Sequence, residues 1–121
     1  MQTTEAALRA FQNMCHAEAK NWWIDIETGK KLTRNKGEQL CLVHSEISEC
    51  LEGARSNLND DKLPHRKMEE VELADAVIRI FDYAGGFGLD LAGAIVEKIA
   101  YNRGRADHRI ENRRQAHGKK W

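Results

Sequence analysis

Between Val71 and Ala84 the chain carries Val71, Leu73, Ala74, Val77, Ile78, Ile80, Phe81 and Ala84. On a helix these cover more than half of the circumference. The gap is filled by Glu72, Asp75 and Arg79, which fall within a sector of about 60°. A helix this apolar is expected to be the most buried one in its fold, with its acidic sector at the edge of a core. It needs other helices to cover it, because β-branched residues nowhere alternate with polar ones over a useful length.

Three further helices are legible. The first runs from about Thr4 to Lys20, capped by Thr3 or Thr4, with Ala7, Leu8, Phe11, Met14 and Cys15 as its stripe. An irregular connection follows, "NWWIDIETGKKLTRNKG", with a Thr-Gly turn at 28–29. Asn35 followed by Glu38 reads as a capping box for the second helix, whose stripe is Leu40, Val43, Ile47, Leu51 and Ala54. That helix ends in the polar loop "SNLNDDKLPHR". The third begins near Arg66–Met68 and stops at "GGFG"; Asp90 caps a fourth, with Leu91, Ile95 and Ile99 inward. The expected fold is all-α, an antiparallel four-helix bundle. The 121 residues read as one domain, with a core over 4–104 and a basic C-terminal tail over 105–121.

Composition narrows the function. No apolar run reaches membrane-spanning length, and "MQTTEAALRA" lacks the apolar core of a signal peptide, so the expectation is a cytoplasmic protein with no membrane partner. Three scattered cysteines, Cys15, Cys41 and Cys50, do not make a disulfide framework. Cys41 and His44 are spaced as half a zinc site with no second half. Formal net charge is zero, yet residues 103–121 hold seven basic and two acidic groups, a net +5 balanced by −5 in the rest. An acidic body suits cations and a basic tail suits phosphate, although the tail reads equally well as a solvated charge run.

Chemistry concentrates in two carboxylate pairs. Glu46 and Glu49 flank the stripe of the second helix, and Glu72 and Asp75 occupy the polar sector of the third. If these helices pack, four carboxylates face one another. Two unit charges at 4 Å repel by about 4 kcal/mol at an effective dielectric of 20. Either protons or cations must compensate. All-oxygen ligands favour Mg²⁺, with Mn²⁺ as a substitute, and Mg²⁺ usually shares its shell with substrate phosphates. Glu52 faces solvent, and Glu69 and Glu70 sit where acids favour a helix dipole. Lys98, Asn102 and Arg105 lie on one face if the fourth helix continues that far, a set suited to a triphosphate. Of the aromatic residues, Trp22 and Trp23 are candidates for stacking on a base, with a place in the core as the competing role.

The segments "EISE" at 46–49 and "ELAD" at 72–75, with 22 residues between Glu49 and Glu72, resemble the E-x-x-E…E-x-x-D signature of the MazG-like all-α nucleoside triphosphate pyrophosphohydrolases. "EKIAYNRGRADHRIENR" and "HGKK" at 117–120 resemble the segments that follow it in that family. The similarity covers about residues 35–121. The resemblance implies a helical core completed as a homodimer or homotetramer. It implies Mg²⁺-dependent hydrolysis of an NTP or dNTP to the monophosphate and pyrophosphate, in nucleotide-pool house-cleaning. Glu46, Glu49, Glu72 and Asp75 would ligate the metal, and Lys98, Asn102, Arg105 and Trp23 would hold substrate. Many members carry a further acid where this chain has Ser45; that acid's role would fall to Glu49 or to hydroxide at the metal.

Two other classes compete. A di-iron carboxylate bundle needs Glu-x-x-His motifs, and here the third residue after each glutamate is acidic. A non-catalytic binding module would use the basic tail for nucleic acid or a protein partner. The acidic body and the lack of a recognised motif argue against nucleic acid.

Overall fold

A computed structural model describes residues 3–121. Among them the chain is all-helical: α1 spans Thr4–Glu18, α2 Lys36–Ser56, α3 Met68–Gly86, α4 Leu91–Arg103 and α5 Ile110–Arg113. Short 3₁₀ turns cover Lys20–Trp23 and Ala106–His108, and the only β pairing among the described residues is two isolated bridges, Ile24 with Lys31 and Asn59 with Lys67. No helix is long and apolar enough to cross a membrane.

The caps read from sequence are in place. Thr3 Oγ1 accepts from the Ala6 N–H at 3.1 Å, Asn35 Oδ1 from Glu38 at 2.9 Å and Asp90 Oδ1 from Gly93 at 3.0 Å. Each satisfies one of the N–H groups that a helix start leaves without a partner. The stretch after α1 is more ordered than expected. It coils into the 3₁₀ turn and then doubles back, with Asp25 N–H donating to the Lys30 carbonyl at 2.7 Å and Gly29 at a φ of 72°.

The chain divides into two compact units. One holds Ala10–Leu89; the other holds the chain through Arg9 together with Asp90–Trp121. In the first, α2 and α3 form an antiparallel pair. The Cys50 thiol donates to the Glu69 carbonyl at 3.5 Å, and Arg79 reaches Glu46 at 3.0 Å. Gly53 permits this closeness. A Cβ there would stand 2.9 Å from the Met68 Cβ, closer than real Cβ atoms come.

The connection from α2 to α3 is also built rather than loose. Asn57 turns the chain in the left-handed region at φ 50°. Buried Asp60 accepts from the Lys62 and Leu63 N–H groups at 3.0 and 2.8 Å, and Met68 N–H returns to the Leu58 carbonyl at 3.0 Å.

The expected burial of α3 is not what the structure shows. Ala76, Phe81 and Ala84 are buried, but Leu73, Val77, Ile78 and Ile80 are 39–47% exposed. Leu40, Ile47 and Leu51 on α2 and Met14 on α1 are exposed too. The reason is that α3 has one extensive helical neighbour, α2, which covers one side of a helix that is apolar on more than one.

In the other unit, α4 ends at Arg103, and the Gly104 N–H closes it onto the Tyr101 carbonyl at 3.1 Å. Arg105 therefore lies beyond the helix in extended conformation, not on a continued helical face with Lys98 and Asn102. The tail then folds onto itself. Arg113 donates to the Lys119 and Lys120 carbonyls at 3.1 and 3.2 Å, and the Lys120 ammonium donates to the Gln115 carbonyl at 3.0 Å.

Gly53→Ala tests the helix pair. Alanine is ordinarily the better helix former by about 1 kcal/mol. At this contact the added methyl must push α3 away, and net destabilisation of about 1–3 kcal/mol is expected from urea unfolding midpoints.

Candidate metal centre

Pairing of α2 with α3 brings Glu46, Glu72 and Asp75 together, with one carboxylate oxygen from each lying within 4.8 Å of the others. Glu46 and Glu72 are only 7% and 8% exposed, and Asp75 is the most open of the three. Glu49 is exposed and stands at the rim of the same cavity, about 510 Å³, that Glu46, Glu72 and Asp75 line. The structure thus gathers three of the four expected ligands tightly and leaves the fourth at the solvent edge. Ser45 is turned away, its hydroxyl donating to the Leu42 carbonyl at 2.6 Å.

One cation serves this cluster directly. Arg79 Nε donates to Glu46 Oε1 at 3.0 Å. Burial raises the Glu46 carboxyl, but hydrogen bonding with Glu72 and the Arg79 guanidinium carry it below its ordinary range. Glu72 moves the other way. The hydrogen bond with Glu46, burial and the neighbouring Glu49 push it up to about 8. Asp75 is raised by burial and by the Glu46 charge. Glu72 Oε2 is buried with no hydrogen-bond partner. Such an orphaned oxygen costs about 1–3 kcal/mol.

The loop between α2 and α3 adds residues that the sequence reading passed over. Asp60, Asp61 and Lys62 line the acidic cavity with the cluster, and Asp60 contributes to the raised Asp75 carboxyl. Two adjacent aspartates in a loop were the available signal, but only the turn that buries Asp60 points it inward.

A second cavity, about 440 Å³, meets the first at Glu46 and Asp75 and is lined also by Trp22, Arg34, Gln39, Ile78 and Asp82. Trp22 is 72% exposed and opens into it, whereas Trp23 is 5% exposed. Trp23 packs edge-on to His16 and Phe87, with ring centroids 5.3 and 5.2 Å away. Its Nε1 donates to both Asp82 oxygens at 3.0 and 3.1 Å, and Asp82 Oδ1 also meets His16 Nδ1 at 2.9 Å. Burial to this degree leaves Trp23 no open face for a substrate base, against the expectation that it stacks on one. Gly86 gives its ring room, since a Cβ there would collide with it. Asp82 was legible, falling seven residues after Asp75 on the same face of α3.

Lys98, Asn102 and Arg105 belong to the other unit. The Lys98 ammonium and the Arg105 guanidinium both lie over the Tyr101 ring, at 4.7 and 5.9 Å. Arg105 is engaged by Asp107 through two bonds of 3.0 and 2.7 Å. Asn102 Oδ1 is buried without a partner.

Comparison with family models, with curated proteins and with solved structures finds no match.

The cluster makes a pH prediction. Glu72 binds its proton more tightly folded than unfolded, so between about pH 4.5 and 8 the native state holds more protons and stability falls as pH rises. Thermal midpoints of the metal-free protein should decline across that window and flatten above it. In Glu72→Gln the decline should be smaller, with a midpoint at pH 8 equal to or above that of the parent.

Proposed function

We propose that the chain hydrolyses a nucleoside or deoxynucleoside triphosphate to the monophosphate and pyrophosphate at a divalent-cation site formed by Glu46, Glu72 and Asp75, with Glu49 at its rim. The observation that carries this reading is the Glu72 Oε2 atom, buried without a partner in an all-carboxylate cluster. A proton on Glu72 removes one charge and can be shared with Glu46, whereas a cation offsets several carboxylates at once and takes the unpartnered oxygen as a ligand. The donor set, oxygen only, fits Mg²⁺ or Mn²⁺. A bound Mg²⁺ supplies charge neutralisation for the phosphates and a polarised phosphorus centre.

The chain's own residues divide the remaining work. Arg79 fixes the Glu46 carboxylate. Glu49, open to solvent at the cavity rim, takes the proton of the water that attacks the α-phosphorus as pyrophosphate leaves. Lys62, the one cation lining the acidic cavity among the described residues, faces the phosphates. The adjoining cavity takes the nucleoside, with Trp22 offering its exposed face to the base. The motif resemblance of Glu46, Glu49, Glu72 and Asp75 to the MazG-like pyrophosphohydrolases supports the same chemistry. Arg105, Arg113 and Lys120 donate within the tail, which leaves a binding module fewer free cations than the tail's composition suggests.

The half-exposed apolar faces of α2 and α3 support assembly of a homo-oligomer, and light scattering should return a mass of two or four chains. Pyrophosphate release from a panel of NTPs and dNTPs should require Mg²⁺ and stop with EDTA. Glu49→Gln should lower kcat by about 10²–10⁴ with unchanged circular dichroism. Folded protein that releases no pyrophosphate from any nucleotide contradicts the reading.

A further inference from the structure

Three of the five Arg34 N–H donors are committed. One terminal nitrogen donates to the Trp22 carbonyl. The Nε and the other terminal nitrogen donate to the Gln39 carbonyl oxygen at 3.3 and 2.6 Å in the amide orientation that satisfies both side chains. The guanidinium also lies 6.0 Å from the centre of the buried Trp23 ring, which in turn is tied to Asp82. Arg34 is therefore a brace, held on Trp23 and holding Trp22 and Gln39. Arg34, Gln39 and Trp22, the last held through its backbone carbonyl, all line the 440 Å³ cavity beside the acidic cluster.

This bracing fixes a polarity. A free glutamine can turn its amide to offer either a donor or an acceptor. Here the carbonyl is taken by Arg34, so the NH₂ group is what Gln39 has left to offer. Reversing the amide would set its NH₂ against the guanidinium, donor against donor. Trp22 supplies an aromatic face, which every base can use, whereas a fixed donor distinguishes between base edges.

We propose that Gln39, locked by Arg34 as a hydrogen-bond donor, selects nucleotides whose base carries a keto oxygen at pyrimidine C4 or purine C6, namely uracil, thymine or guanine, over those carrying an amino group at that position. The inference rests on the pyrophosphohydrolase reading. It names Gln39 as a specificity residue and Arg34 as a positioning residue. An amino group on the base would meet the Gln39 NH₂ donor to donor, and neither would be satisfied.

dUTP and dCTP are a matched probe, differing at the ring position that bears a keto oxygen or an amino group. The parent protein with Mg²⁺ should show kcat/KM for dUTP at least about tenfold above dCTP. Gln39→Glu offers acceptors only and keeps a partner for Arg34, so the ratio should fall below one. Gln39→Leu should bring it near one. Trp22→Ala should raise KM for both nucleotides and leave the ratio unchanged. Circular dichroism and thermal midpoints confirm that each variant is folded. A parent ratio of one or less, or a ratio that Gln39→Glu does not move, overturns the inference and leaves the pyrophosphohydrolase reading standing. Absence of turnover with every nucleotide overturns both.

Discussion

Three carboxylates whose oxygens lie within 4.8 Å of one another share one guanidinium. At that separation each pair of ionised groups repels by about 3–4 kcal/mol at an effective dielectric of 20. Everything around them answers to this repulsion. Arg79 settles the charge on Glu46, Glu72 keeps a proton to about pH 8, and Asp75 is pushed toward its neutral form. A cluster left in this condition is stable chiefly when something positive joins it. The two helices that carry it are held close by the absence of a side chain at Gly53, so the helix pairing itself enforces the crowding.

The same geometry divides the space outside. Glu46 and Asp75 line both an acidic cavity and an aromatic, amide-bearing one. The proposed nucleotide would place its base in the aromatic space and its phosphates in the acidic one. Asp82 secures Trp23, Trp23 seats Arg34, and Arg34 fixes Trp22 and Gln39. The second cavity is thus organised from beneath by side chains that do not all open into it.

Much of this was legible in the sequence. Helix limits followed from caps at Thr3, Asn35 and Asp90 and from the glycines after Ala84, because capping is local chemistry. Facing of the two acid pairs followed from helical periodicity and an antiparallel turn. What periodicity could not supply was depth. Both glutamates were read as flanking the stripe, yet Glu46 lies about 60° from Val43 on the wheel and Glu49 about 120°, and only the nearer one is buried, because the partner helix reaches no further round. Leu73 and Ile80 show the converse: a strongly apolar pattern states that a face seeks cover, not that the chain itself provides it. Trp22 and Trp23 were interchangeable in sequence until a 3₁₀ turn sent one inward. Arg34 and Gln39 had no pattern to announce them, since their roles arise from contacts between segments with unrelated periodicities. Arg105 would have shared a face with Lys98 and Asn102 only on a longer α4, and the helix ends at Arg103, two residues short of it.

The Glu46, Glu72 and Asp75 cluster is proposed as a cation site; the competing possibility is a proton-sharing structural knot. Titrating the purified protein with Mn²⁺ at pH 7.5 while following the free-ion paramagnetic resonance signal tests it most directly. A cation site gives saturable loss of free signal, recovered by excess Mg²⁺ and abolished in Asp75→Asn, with unchanged circular dichroism of that variant as the expected control. A free-ion signal that tracks total Mn²⁺ up to millimolar concentration in the parent protein would contradict it.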